Sequence, residues 1–418
     1  MGFFEFGGKT VAAASSALEK AKERFEAIDE INEYNQQKVL AAFIKNKVAE
    51  ADFGASTGYG YGDRGRDKLD RVFADAFGAE DALVRHTFTC GTHTLSVALF
   101  GILRPGDTML CVTGTPYDTI HSVIGLSGEG MGSLKDFGVK YEQVDLGADG
   151  EPDMAAIEKA LEINPRMVYI QRSRGYSLRP TLSVEKIGEI ARLVHEKSGA
   201  VVMVDNCYGE FTEKTEPVQA GADIMAGSLI KNAGGAIART GGYIAGRKEL
   251  VELCSYRATT PGLGKEVGCT LGQNINMFMG FFNAPNVTAN ALKTAVFAAA
   301  LFEELGFEVT PGSKEDRYDI IQAIKLGSGE KMNAFCKGLQ AGAPIDSFVV
   351  PEAWDMPGYD SKVIMAAGAF IMGASIELSA DGPMREPYAV WMQGGITFET
   401  GKTAVMLAAT QLEKEGLI

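Results

Sequence analysis

The chain has 418 residues, 46% of them hydrophobic and 22% charged, so it has enough apolar side chain for large cores and is neither disordered nor fibrous. A net charge of −14 argues against nonspecific binding to nucleic acid or to anionic membranes. Glycine makes up 50 residues, well above its usual share, as tight turns and close backbone approaches require, and an enzyme is the class this favours.

The opening Met1-Gly2-Phe3-Phe4-Glu5-Phe6 lacks the basic and apolar regions of a signal peptide, and Phe6 breaks the myristoylation pattern. Six scattered cysteines without a CxxC fit reduced thiols, and a cytoplasmic protein is expected. From about residue 15 to 51, apolar positions such as Leu18, Phe25, Ile28 and Ile31 recur at helical spacing. A Gly- and Tyr-rich loop covers 54–65, and an amphipathic helix is predicted over 68–77, stopped at Gly78. From about 82 to 246, short β-branched runs alternate with helical stretches. The clearest strands are 108–112, 168–171, 201–205 and 242–245, and the clearest helix is 184–197. That alternation predicts an α/β fold with a large, mostly parallel sheet, whose ligands sit beyond the carboxyl ends of the strands. A long helix over 287–305 follows Pro285, and a smaller C-terminal α/β domain starts between about 290 and 310. The predicted division is a helical segment over 1–55, a large domain over 56–295 and a small domain over 296–418. The apolar run 363–376 falls short of the roughly 20 residues of a membrane span and reads as buried core.

Several motifs fail on context. Gly60 to Gly65 spells GxGxxG without the apolar strand such a fingerprint needs. Gly395 to Thr403 resembles a P-loop whose first glycine comes one residue early. His86, Cys90 and His93 have no fourth ligand nearby, so no metal is expected. Three other features occur in order. Cys90-Gly91-Thr92-His93-Thr94 opens an apolar helix, whose first N–H groups suit a phosphate. Asp205 ends the apolar run 201–204, where a carboxylate is costly unless it meets a cation. Lys231 stands between Leu229-Ile230 and a Gly-Gly step, 26 residues after Asp205, about one strand-helix-strand excursion. A lysine near a pyridinium-binding Asp and a phosphate cradle is what a pyridoxal 5'-phosphate (PLP) enzyme requires.

The blocks Tyr59 to Gly65, Arg85 to His93, Gln171 to Tyr176, Val204 to Glu210, Gly227 to Asn232 and Ile376 to Pro383 carry a family likeness over nearly the whole chain. The chain resembles the fold-type I PLP enzymes of cysteine and methionine metabolism. More closely it resembles the bacterial aluminium resistance proteins, which are methionine gamma-lyase or cystathionine beta-lyase-like. The resemblance implies the PLP-dependent transferase-like fold of the aspartate aminotransferase type. It also implies a carbon–sulfur lyase acting on methionine, cystathionine or cysteine by γ- or β-elimination. Transamination, racemisation or γ-replacement on the same cofactor is the alternative, and a noncatalytic metal-stress protein is a more distant one.

By the same resemblance, Lys231 would bind the cofactor and, once displaced by the substrate amine, shuttle the Cα proton. Asp205 would keep the pyridine nitrogen protonated. Gly91, Thr92 and Ser228 would take the phosphate, and Tyr117 would stack on the ring. Tyr59 or Tyr61, with Arg64, would reach a neighbouring subunit's cofactor, which implies a homodimer or homotetramer with shared active sites. Two departures stand out: Arg172-Ser173-Arg174 replaces an Asn-Pro element, and Glu377-Leu378-Ser379 replaces the Arg-Leu-Ser whose arginine binds the substrate carboxylate. Arg385 is the candidate for that task, with Arg172 and Arg174 behind it.

Overall fold

The computed structural model of the chain describes residues 2–356 and 361–418. Its first half contains α1 (Gly8–Lys45), α2 (Arg64–Phe77), β1 (Asp81–Arg85), α3 (Gly91–Ile102), β2 (Thr108–Cys111), α4 (Asp118–Ile124), β3 (Lys140–Gln143), α5 (Met154–Ala160), β4 (Met167–Gln171), α6 (Val184–Lys197) and β5 (Val201–Asp205). Then come β6 (Ile224–Ser228), β7 (Gly242–Gly246), α7 (Lys248–Ala258), α8 (Asn274–Glu304), β8 (Glu308–Thr310), β9 (Ile321–Lys325), α9 (Gly329–Ala341), β10 (Val363–Ala366), β11 (Ser379–Pro383), β12 (Ala389–Gln393) and α10 (Phe398–Lys414). Local chemistry sets many of these boundaries. The Asp63 side chain accepts from Arg66 N at the start of α2, and Gly78 ends that helix at φ 69°, a conformation a β-carbon would strain. Ser183 caps α6 by accepting from Lys186 N.

Two compact units divide the chain. Residues 34–175 and 179–283 form one; residues 1–33, 176–178 and 284–418 form the other. These divisions differ from the predicted boundaries at 55/56 and 295/296, because the long helices α1 and α8 each supply residues to both units. The first unit holds a seven-stranded sheet in the order β1-β7-β6-β5-β4-β2-β3. Strands β2 to β6 pair in parallel, while β7 runs antiparallel to β6 and β1. Strands β4 and β5 are buried at every position, which is why they are apolar runs rather than alternating ones. One core of this unit joins Leu95, Leu99, Met109, Met203, Ile224 and Leu250. Elsewhere Phe73, Phe77, Phe281 and Tyr243 pack ring on ring.

The second unit holds an antiparallel sheet in the order β10-β11-β12-β9-β8, with Ile324, Phe335, Ile364, Val390 and Val405 in its core. Two local expectations are corrected. Helix α8 begins at Asn274 and runs through Pro285 instead of starting after it. A mid-helix proline costs about 3 kcal/mol, and the burial of Phe278, Phe281, Ala284 and Val287 around it outweighs that loss. The apolar run 363–376 is core in β10 and again at Ala374 and Ile376, but not throughout. Between those stretches Phe370 is 67% and Met372 96% exposed, in the bend that leads to the turn at Gly373. Among the described residues no helix is long and apolar enough to cross a membrane.

Candidate active site

Because β1, β2, β4, β5 and β6 all point the same way, their carboxyl ends share one edge of the sheet. The segments leaving that edge carry Gly91 after β1, Tyr117 after β2, Gln171 at the end of β4, Asp205 at the end of β5 and Ser228 at the end of β6. Lys231 follows three residues later, at the start of a 3-10 turn over Asn232–Gly234. A β-carbon built on Gly91 would lie 3.5 Å from Cys207 Sγ, 3.5 Å from Ser228 Cβ and 4.0 Å from Lys231 Nζ. The start of α3, Cys207, Ser228 and Lys231 therefore come together around Gly91.

Asp205 is buried. Its Oδ1 accepts from Cys207 N at 3.1 Å, and its Oδ2 meets the Tyr169 hydroxyl at 3.4 Å. Burial pushes its carboxyl above the ordinary range, against the pull of the Lys231 charge. A carboxylate so placed fits a cationic ring nitrogen, which would restore its charged form. Burial also works against the Lys231 ammonium, but Cys207, Tyr208, Asp205 and Glu210 around it hold its pKa above the usual lysine value. The residues present thus suit PLP: a cradle at a helix N-terminus, an amine beside it and a buried acid at the same edge.

Tyr117 is held by its backbone. Its N–H donates to Gln171 Oε1 at 2.6 Å, and its ring lies against Gly175, where a β-carbon would sit 3.0 Å from Cδ2. Gln171 stands one residue before the predicted Asn-Pro position and had no role assigned from sequence; its amide also donates to Ser173 O at 3.1 Å. Thr92 and Thr119 hydroxyls meet at 2.7 Å, joining the starts of α3 and α4. Cys90 and His93 are used locally, with His93 N donating to Cys90 Sγ at 3.3 Å and Thr89 N to His93 Nδ1 at 3.2 Å.

The arginines separate. Arg172 is fully buried, and its Nε, Nη1 and Nη2 donate to Leu182 O, Asn206 Oδ1, Gly209 O, Thr212 Oγ1 and Glu213 Oε2. All five of its N–H donors are taken, so Arg172 is corrected from a substrate ligand to the post around which the chain after Asp205 is wound. Arg174 is also buried, beside Ser173 on the segment leaving β4. Arg385 belongs to the other unit and is exposed on the loop leaving β11. In that unit Glu377 accepts from the backbone N–H groups of Phe370 at 2.7 Å and Ile371 at 2.9 Å, so the residue standing where the resemblance leads one to expect an arginine braces its own loop. Tyr59 and Tyr61 are 71% and 63% exposed and stack on each other at 5.3 Å, while Arg64 Nε donates to the buried Asp52 at 2.8 Å.

Comparison with known proteins places this geometry. A family model described as Methionine gamma-lyase matches residues 10–413. The chain is 49% identical over 393 residues to the uncharacterized protein YnbB of Bacillus subtilis (strain 168), covering 94% of this chain and 93% of that one. It is 49% identical to the crystal structure of a carbon-sulfur lyase involved in aluminum resistance from Clostridium novyi NT, with a TM-score of 0.94 over 97% of this chain and 96% of that one. The pyridoxal-5'-phosphate dependent protein YhfS from Escherichia coli, at 15% identity, shares the fold with a TM-score of 0.63 over 93% of this chain and 97% of that one. The fold is that of the fold-type I PLP-dependent enzymes.

Proposed function

Because the chain belongs to the methionine gamma-lyase family, we propose that it is a PLP-dependent carbon–sulfur lyase that acts on methionine, cystathionine or cysteine by γ- or β-elimination. The observation that carries this reading is the placement of Gly91, Ser228, Asp205 and Lys231 along one sheet edge, with Lys231 Nζ 4.0 Å from where a β-carbon on Gly91 would stand. Bound there, the cofactor would supply an electron sink for the pair left when the substrate Cα–H bond breaks. Lys231 would bind the cofactor aldehyde and, once released, take the Cα proton and return it during product formation. Asp205 would hold a proton on the ring nitrogen. Gly91 and Thr92 N–H groups and the Ser228 hydroxyl would orient the phosphate, and Tyr117 would cover one ring face. Within the unit that holds Lys231, Arg174 is the candidate for the substrate carboxylate.

Purified protein should show the visible band of lysine-bound PLP, and Lys231→Ala should abolish it. The wild type should then release a thiol or thiol-bearing fragment, a 2-oxo acid and ammonia from at least one of the three amino acids; no release across that panel would defeat the lyase reading. Glu377 in place of the expected arginine favours testing a second reading, transamination, racemisation or γ-replacement, by adding 2-oxo acids and thiols to the same panel.

The exposed, mutually stacked Tyr59 and Tyr61 support a homodimer or homotetramer in which this loop completes a neighbouring site. Tyr59→Ser with Tyr61→Ser should lower activity and shift the protein to smaller species in analytical ultracentrifugation. Six free cysteines support a reducing, cytoplasmic setting.

A further inference from the structure

Lys231 Nζ lies 3.9 Å from the centre of the Tyr208 ring, over its face. This is close for a cation–π contact, which extends to about 6 Å. Tyr208 reaches that place at a conformational cost. It is the third residue of a turn closed by Gly209 N donating to Asn206 O at 2.9 Å, and its φ is 73°, the left-handed region that glycine or asparagine normally fills. The turn is fixed from two sides. Arg172 binds Asn206 Oδ1 and Gly209 O, while the Asn232 amide, one residue after Lys231, donates to Tyr208 O and Glu210 O, both at 3.0 Å. An aromatic side chain held in a strained conformation against a reactive amine is an arrangement that packing alone does not require.

We propose that Tyr208 is a positioning residue: its ring face is the resting place of the Lys231 nitrogen whenever that nitrogen is not bonded to cofactor, and it favours the ammonium there. The proposal deepens the lyase reading, since the released amine, once it has taken the Cα proton, is an ammonium that must be held until that proton is returned. The ionisable groups around Lys231 are Cys207, Asp205 and Glu210 besides Tyr208 itself. Ionised Asp205 favours the ammonium too, and so does Glu210 once pH exceeds its raised pKa of about 8, so the ring's share has to be measured with both in place.

The test uses cofactor-free full-length protein, with Lys231 acetylated by a limiting reagent at several pH values and quantified by peptide mass spectrometry. Tyr208→Leu should raise the acetylation rate at fixed pH about threefold to thirtyfold, the range of an exposed to a desolvated cation–π contact. Tyr208→Phe should behave as wild type, because the ring face is retained. Tyr208→Gly should match the leucine variant in reactivity while melting no lower than wild type, since it removes the strained side chain. Equal rates in wild type and Tyr208→Leu would overturn the proposal. So would a Tyr208→Phe variant that behaves as the leucine variant does, which would assign the effect to the hydroxyl. Absorbance after PLP addition to the wild type judges the lyase reading separately: no visible band there, with the Tyr208 series as expected, would sink the cofactor and leave the parking place.

Discussion

At the scale of single residues, the acids behind the sheet edge divide by environment. Glu210 is fully buried, accepts from the Tyr243 hydroxyl at 2.8 Å, and leaves its Oε2 without a partner. Burial raises its pKa to about 8. Unfolded, it would release its proton near the ordinary value of 4.5, so between these values the folded state binds more protons and stability falls as pH rises. Glu210→Gln should flatten that fall; urea unfolding at several pH values across the window measures it, and an unchanged slope would count against a neutral Glu210. Lys231 and Asp205 were legible in the sequence because each is an anomaly in its own local pattern, a charge beside an apolar strand. Gln171, Tyr208 and the true task of Arg172 were not, because their partners lie elsewhere in the chain: Tyr117 for the first, Lys231 for the second and Glu213 for the third.

At the scale of elements, legibility followed burial. The helix predicted over 184–197 and the strand over 201–205 have those bounds in the structure, since a serine cap starts one and unbroken apolar burial defines the other. Prediction failed where a local signal was overruled, at Pro285 inside α8, and where an apolar run left the core, at Phe370 and Met372. The Ser183 cap is a separable contribution. Ser183→Ala should destabilise the protein by about 1 kcal/mol, read by chemical denaturation, with little effect on cofactor binding because α6 leads into the amino end of β5.

At the scale of the whole molecule, the division into two units was harder to read than either core, because α1 and α8 run across the divisions at 33/34 and 283/284 without a break in helical pattern. All the proposed cofactor-holding residues belong to the unit formed by 34–175 and 179–283. A ligand that binds only folded protein protects what it binds. Hydrogen exchange should therefore show the largest gain on PLP addition in β5, β6 and the start of α3, and a larger gain in residues 284–418 would argue for a different seat. The shared direction of β1, β2, β4, β5 and β6 has a practical corollary. The rim at their amino ends lies away from the proposed site, and Gly199, exposed just before β5 with nothing within 4 Å of where a β-carbon would stand, lies on it. A fluorescent tag or a circularly permuted terminus spliced in at Gly199 has room to fold outward, far along the strand from Asp205, and offers a handle for following cofactor binding at the opposite, proposed edge.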